Sequence, residues 1–110
     1  MAKQLNFTYD DKEYTLEYTR KTVTEMERKG FIASDVEAKP MTVLPQLFAG
    51  AFLAHHRFVK QNVIDEIYDH LTNKEDLIGK LAEMYNEPIQ ALVEEPAEDD
   101  EKNVAWTATF

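Results

Sequence analysis

Hydrophobic and polar residues alternate along the start of the chain. Within residues 3–18 the apolar positions form two sets. Leu5, Phe7 and Tyr9 share one face, and Tyr14, Leu16 and Tyr18 share another. A period of two with many aromatic residues is typical of β-strands, and the intervening Asp10 and Asp11 tolerate tight turns. The pattern predicts an antiparallel β-hairpin. Because an isolated hairpin is marginally stable in water, its apolar face must pack on other elements.

The spacing of apolar residues changes to a helical period after the hairpin. A first helix is predicted to begin at Thr22, which forms a capping box with Glu25, and to end at Gly30. A second helix is predicted to begin near Thr42 with Pro45 in its first turn, and to occupy the centre of the core. The helical positions of this second segment are Leu44, Leu47, Phe48, Ala51, Phe52 and His55.

Two more amphipathic helices follow. The apolar face of the third consists of Val63, Ile64, Ile67, Tyr68 and Leu71. The fourth is expected to begin after Thr72 or Asn73 and to stop or kink near Asn86, because Pro88 lacks a backbone amide. Between the first two helices, Phe31 and Ile32 are expected to turn inward before a polar connection. The predicted fold class is α+β, with an N-terminal antiparallel hairpin and about four α-helices in one globular domain, residues 1–93.

An acidic run follows the last helix. Residues 94–102, EEPAEDDEK, contain six acids and one lysine, which is −5 of the formal net charge of −9. Such a run buries too little apolar surface to offset its chain entropy, so residues 94–110 are predicted to be a flexible acidic tail with a short aromatic end. In that end, Val104, Trp106, Ala108 and Phe110 alternate. They predict a strand that pairs either with an open sheet edge or with the protein's own hairpin.

The composition excludes several kinds of chemistry. There are no cysteines, so disulfides and thiol nucleophiles are absent. The longest apolar run, residues 47–54, is too short to span a membrane, and the acidic net charge disfavours nucleic-acid binding. The protein is therefore expected to be intracellular, with no membrane and no nucleic acid among its partners.

No catalytic or metal-binding constellation stands out among the polar residues. Adjacent His55 and His56 point in different directions on a helix and cannot chelate one metal as a helical pair; His55 is expected to be half-buried and His56 to face solvent. The paired carboxylates lie in a predicted turn, on polar helix faces or in the tail, where they are solvated. Ser34 is the only serine, and the three glycines are widely separated. We predict a non-enzymatic protein without catalytic residues, metal ligands or cofactors.

Whole segments of the chain resemble a known family of phage proteins. These segments are FTYDDKEYTLEYTRKTVTEMERKGF, PMTVLPQLFAGAFLAHH, VIDEIYDHL and LIGKLAEMYNEPIQAL. They are similar to the tail assembly chaperones of siphophages and prophages of Gram-positive bacteria, from about Phe7 to Leu92. The resemblance implies an adaptor that binds the tape measure protein, keeps it soluble and helps recruit subunits of the major tail protein. It also implies self-association, action in the host cytoplasm and absence from the mature virion.

The resemblance further implies a longer product made by −1 ribosomal frameshifting. Glu101-Lys102-Asn103 can be encoded GAA AAA AAC, which contains the slippery heptamer A AAA AAC in the required phase. The residues before Val104 would then be shared by two products, and VAWTATF would be the ending of the short one.

A chaperone of this kind needs an exposed apolar groove or sheet edge. The candidate protein-binding residues are Phe48, Phe52, His55, Trp106 and Phe110. Alternatives remain open at this point: an acidic DNA mimic or small adaptor of a mobile element, an enzyme with an unrecognised pocket around His55 or His70, and a structural subunit of the virion.

Overall fold

A computed structural model of the protein describes residues 3–95 and 102–110. It confirms the α+β prediction, since an antiparallel hairpin is followed by four α-helices and one short 3₁₀ helix. The elements are β1 (Leu5–Tyr9), β2 (Lys12–Leu16), α1 (Arg20–Arg28), the 3₁₀ helix (Ala33–Val36), α2 (Pro40–Gly50), α3 (Gln61–His70) and α4 (Lys74–Ala91). Helix α2 is central, because it contacts α1, α3 and α4.

The hairpin is closed by a two-residue turn. Asp10 and Asp11 adopt φ angles of 52° and 64°, which are the left-handed values that a type I′ turn requires and that aspartate tolerates. Residue pairs directly opposite one another include Phe7 with Tyr14, whose rings stack with centroids 5.3 Å apart. The two apolar sets of the hairpin therefore share one face of the sheet, rather than the separate faces assigned from the sequence, and this face packs on the helices.

The core lies between the hairpin and the helices. Its most completely buried side chains come from β2, α2, the segment after α2, α3 and α4: Leu16, Phe48, Phe52, Ile67 and Leu81. Tyr85 of α4 packs edge-on against Tyr18 and Phe31, with ring centroids 5.4 Å away in both cases. Burial raises the pKa of Tyr18, so its hydroxyl stays protonated and donates a hydrogen bond to the carbonyl of Leu47.

The start of α1 differs from the prediction. Thr19, not Thr22, is the N-cap, and the capping box forms between the side chains and backbones of Thr19 and Thr22. Glu25 instead pairs with Arg57. The prediction was wrong by three residues because a threonine at the third helical position can replace the glutamate of the usual capping box.

The bounds of α2 also differ from the prediction. The helix begins at Pro40 and ends at Gly50, so Pro45 lies inside it and His55 lies beyond it. After Gly50 the backbone tightens into turns, in which the amide of Leu53 donates to the carbonyl of Gly50. Helical spacing of the apolar residues after Gly50 had suggested a longer helix.

Helix α4 continues further than predicted. It runs through Pro88 to Ala91 instead of stopping near Asn86. Asn73 does occupy the N-cap position, but with φ of 55° and no side-chain capping hydrogen bond. Of the two expected anchors before the 3₁₀ helix, Phe31 is buried while Ile32 is 54% exposed.

The end of the chain forms no strand in the part that the structure describes. The sheet contains β1 and β2, and residues 103–110 have no regular secondary structure. Of the two alternatives for this segment, the third strand on the protein's own hairpin is therefore wrong, and pairing with another open sheet edge stays a prediction. The prediction of flexibility falls mainly on residues 96–101, which lie outside the described residues.

Candidate protein-binding surface

The structure separates the five predicted binding residues. Phe48 and Phe52 are each 1% exposed and belong to the core. His55 is exposed in the turn that follows α2. Trp106 and Phe110 are 81% and 117% exposed at the end of the chain. The sequence therefore identified core aromatics together with surface ones, because periodicity does not distinguish a buried apolar face from a binding face.

A carboxylate directly after β2 anchors the segment that follows α2. Glu17 is buried, and its Oε1 atom accepts hydrogen bonds from Nε2 of His55 at 2.6 Å and from Nε2 of Gln4 at 3.1 Å. The hydrogen bond from His55 lowers the pKa of Glu17. The backbone amide of Glu17 also donates to the carbonyl of Ala51. These contacts fix the end of β2 against the end of α2.

His56 makes the second link to the hairpin. Its Nε2 atom accepts a hydrogen bond from the backbone amide of Thr15 at 3.0 Å, so the ring is neutral with its proton on Nδ1. Desolvation, together with the nearby charge of His55, lowers the pKa of His56. His56 is thus partly buried and His55 exposed, the reverse of the expected arrangement, because the segment is a turn and not a helix.

Two concavities flank this turn, and they share His56, Arg57 and Val59. The first, here called the α2 groove, lies between α1, the end of α2 and the start of α3, and has a volume of about 290 Å³. This is near the lower limit of about 300 Å³ for small-ligand pockets, which suits one or two side chains of a partner. Its apolar lining comes from Met26, Phe31, Ala49, Gly50, Leu53 and Ile64.

The second concavity, here called the Phe58 surface, lies between the hairpin and the start of α3. Phe58 is 94% exposed, although a large aromatic side chain is usually at least partly covered. Lys12, Val63 and Lys60 surround it. Exposed aromatic residues are enriched at protein-binding surfaces, whereas lysine is depleted there.

The charged side chains lining both concavities are all cations, although the protein as a whole is acidic. They are Lys12 and Lys60 at the Phe58 surface, Lys29 at the α2 groove and Arg57 at both. Arg57 forms two hydrogen bonds of 2.9 Å to the carboxylate of Glu25, which lowers the pKa of Glu25. This ion pair ties the turn to α1. Although the net charge of the protein is −9, this local positive area can attract acidic side chains of a partner at short range.

Sequence reasoning missed this area. The run HHRFVK, residues 55–60, carries an aromatic residue between cations in an otherwise acidic protein. That combination of an aromatic residue and cations could have been noticed in the sequence. The exposure of Phe58 follows from the end of α2 at Gly50, which turns the chain outward.

A further apolar strip continues along α4 beyond the core. The side chains of this strip lie at helical spacing. Leu81 and Tyr85 are buried, whereas further along the chain Ile89 is 39% exposed and Leu92, directly after the helix, is 55% exposed. The helix is therefore longer than the core that it covers.

Within residues 3–95 and 102–110, no group of three or more acidic or histidine side chains is placed to hold a metal ion. None of the helices described has both the length and the apolar character needed to cross a membrane.

Comparison with known proteins assigns the chain to a family. Residues 1–110 match DUF5055, described as a domain of unknown function, and the chain belongs to that family. The comparisons with curated proteins and with solved structures found no match.

Proposed function

We propose that this protein is a non-enzymatic phage tail assembly chaperone that binds the tape measure protein and keeps it soluble. In this role it acts in the cytoplasm of the bacterial host, helps recruit subunits of the major tail protein, self-associates and is not retained in the mature virion. The proposal rests on the segment resemblance between Phe7 and Leu92. The observation that supports a binding role most directly is the open α2 groove beside the exposed Phe58.

The α2 groove has the features needed to hold an amphipathic helix. Its floor is apolar, and the buried Met26 side chain fills the space beside Gly50 that a Cβ atom would need. Methionine adapts its shape to different partners, which suits a chaperone that holds many similar helical segments. Lys29 at the rim favours helices with an acidic residue beside the apolar anchor. The groove would take the anchor side chains, as in other helix-in-groove interactions.

Co-expression with the tape measure protein tests the proposal. Affinity capture followed by size-exclusion light scattering should find the tape measure protein soluble and associated with this chain. The chaperone proposal is wrong if the tape measure protein stays insoluble and is not captured, even after a long form made in the −1 frame is added.

A matched pair of variants on α2 tests the groove. Ala49→Gln places a polar amide in the groove, whereas Met41→Gln changes a side chain that is 89% exposed on the same helix outside it. We expect Ala49→Gln to weaken capture at least about tenfold, which is about 1.4 kcal/mol, and Met41→Gln to leave it unchanged. Equal effects of the two variants would contradict binding in the groove.

The proposed longer form is tested by the gene and by its products. The frameshift would occur at Glu101-Lys102-Asn103, of which Lys102 and Asn103 lie in the described residues. We expect the codons GAA AAA AAC, and mass spectrometry of the expressed gene should detect a second product that departs from this sequence after Asn103. A GAG codon for Glu101 or an AAG codon for Lys102 would remove the heptamer.

A further inference from the structure

Two adjacent histidines in the turn after α2 form hydrogen bonds of opposite direction. Nε2 of His55 lies 2.6 Å from the carboxylate of Glu17 and donates to it, since an ionised carboxylate can only accept. Nε2 of His56 accepts from the backbone amide of Thr15 at 3.0 Å. A protonated imidazole has two donors and no acceptor. A proton therefore leaves the contact of His55 in place but removes the contact of His56.

The ring of His56 covers part of the outer edge of β2. Thr15 lies opposite Asn6, at a pair of the antiparallel ladder whose amides point away from the partner strand. The amide of Glu17, two residues further on, donates to the carbonyl of Ala51 in the same turn. The turn thus covers the edge as a third strand would, with an imidazole nitrogen in place of one backbone carbonyl.

The charges around His56 offer a protonated ring no new partner. The carboxylates that reach the turn are already bonded, Glu17 to His55 and Glu25 of α1 to Arg57. Among the described residues that line the two concavities together with His56, the charged side chains of the hairpin, α1, the turn and the residue before α3 are all cations: Lys12, Lys29, Arg57 and Lys60.

The ring is also shielded from water. The rings of Tyr14 and Phe52 have centroids 5.1 Å and 6.4 Å from that of His56. This desolvation, together with the charge of His55, lowers the pKa of His56. A proton on the ring at its present position would be desolvated, would face the amide of Thr15 and would lie beside cations. The protonated ring is therefore expected to leave toward solvent.

The position of His56 links this movement to both concavities. The ring lines the α2 groove as well as the Phe58 surface and so forms a wall between them. The turn itself remains attached on both sides of the ring, because protonation of His56 does not remove the Glu17–His55 pair or the two hydrogen bonds from Arg57 to Glu25. One side chain can therefore move without release of the whole turn.

We propose that His56 is an acid-operated gate between the α2 groove and the Phe58 surface. While the ring is neutral, it covers the edge of β2 and separates the two concavities. When the ring takes up a proton, it leaves the amide of Thr15, and the two concavities join along a turn that stays fixed at His55 and Arg57. A side chain bound in either concavity then meets a different wall. The gate is a property of this chain alone and does not depend on the proposed function.

NMR of the isotope-labelled full-length protein, recorded from about pH 7.5 to about pH 4.5, tests the gate. The ring signals of His56 give the midpoint of its protonation. We expect a coupling across the hydrogen bond between the Thr15 amide nitrogen and Nε2 of His56 at the upper pH, and its loss at that midpoint. The methyl signals of Leu53 and Val59, which line the α2 groove with His56, should shift with the same midpoint. Those of Leu81, buried in α4, should not.

Two single variants separate the roles of the histidines. His56→Gln retains a carbonyl acceptor for the amide of Thr15 that does not titrate, so the methyl signals of the groove should no longer move with pH. His55→Gln retains a donor to Glu17 but removes the charge that lowers the pKa of His56. In His55→Gln the transition should therefore persist, with its midpoint at higher pH.

Two results would overturn the proposal. If the methyl signals of the groove keep their positions while His56 takes up its proton, the wall does not move. If they move in His56→Gln as they do in the parent protein, another group controls the turn. The titration of the parent protein decides alone if His56→Gln does not fold. Loss of tape measure binding would leave the gate unaffected.

Discussion

At the scale of single residues, His56 and Glu17 hold the hairpin against the turn that follows α2. His56 accepts the amide proton of Thr15, and Glu17 accepts a hydrogen bond from His55. The ring of His56 also lies 5.1 Å from that of Tyr14 and 6.4 Å from those of Phe52 and His55. The hydrogen bonds accepted by His56 and by Glu17 both depend on the protonation state of the accepting side chain, so this junction responds to acid.

The free energy of unfolding should fall as the pH drops below about 6.5. Because the pKa of folded His56 lies below its ordinary value of 6.5, the unfolded chain binds a proton first, and stability rises with pH in that window. Urea unfolding at about pH 7.5 and about pH 5.5 measures the difference. His56→Gln keeps an acceptor for the amide of Thr15 without titrating, so the difference should shrink.

A second loss should occur at more acidic pH. The pKa of Glu17 lies below its ordinary value of 4.5, so its contribution is present above pH 4.5 and is lost as the pH falls through the lowered pKa. Glu17→Gln should flatten the stability profile below pH 4.5 while leaving the His56 step in place. A profile below pH 4.5 that is the same in Glu17→Gln and in the parent protein would contradict this assignment.

Residue-level reasoning from sequence recovered only part of the candidate site. Phe48 and Phe52 were predicted as binding residues, but packing buries both side chains in the core. His55 was placed on a helix that the structure ends at Gly50. Phe58 could not be assigned to the surface from sequence, because its exposure depends on the direction in which the turn leaves the core.

At the scale of elements, the capping box of α1 offers a direct test. Thr19→Ala removes the hydroxyl that accepts the amide proton of Thr22, so we expect a loss of about 1 kcal/mol, within the usual 0.5–2 kcal/mol for cap removal. Thr24→Ala is the matched control in the same helix. Its hydroxyl donates to the carbonyl of Arg20, a bond that contributes little to a helix.

Urea unfolding of both variants measures the effect. Alanine has the higher helix propensity, so Thr24→Ala should cause no loss. A loss in Thr24→Ala as large as that in Thr19→Ala would mean that removal of a threonine side chain in general, not of the cap, causes the change.

Replacing the proline inside α2 should raise the stability of the protein, whereas replacing the cap residue of α1 should lower it. Pro45 cannot donate a hydrogen bond within the helix, although it also restricts the unfolded chain. The first effect is larger, so Pro45→Ala should stabilise the protein by about 1 kcal/mol. Pro40→Ala is the control, because Pro40 occupies the first helical position, where a proline removes no hydrogen bond within the helix. If the urea midpoint of Pro45→Ala is lower than that of the parent protein, the proline is needed at this position.

The elements that the sequence predicted well are those whose signals are local. The Asp10-Asp11 turn and the apolar face of α3 depend on neighbouring residues, and both were found where expected. The ends of α2 and α4 were missed because tertiary packing overrides local preference there. Helix α2 tolerates Pro45, and α4 tolerates Pro88, since each proline costs one hydrogen bond in a helix that packs over several turns.

At the scale of the whole molecule, the buried core ends well before the chain does. Its buried hydrophobic residues run from Tyr14 to Tyr85. A protein that ends after Val93 should therefore unfold at the same urea concentration as the full chain, with a change below about 1 kcal/mol, since surface changes typically contribute about 0.5 kcal/mol or less. A large loss of stability would show that the last seventeen residues belong to the folded domain.

The packing of Tyr85 against Tyr18 and Phe31 also determines when the protein can fold during its own synthesis. The hairpin leaves the ribosome early, but Phe7 and Tyr14 pack against Phe52, which follows α2, and Lys3 pairs with Glu83 of α4. Such distant contacts form slowly compared with local ones. Closure of the core therefore has to wait for elements that are synthesised well after the hairpin.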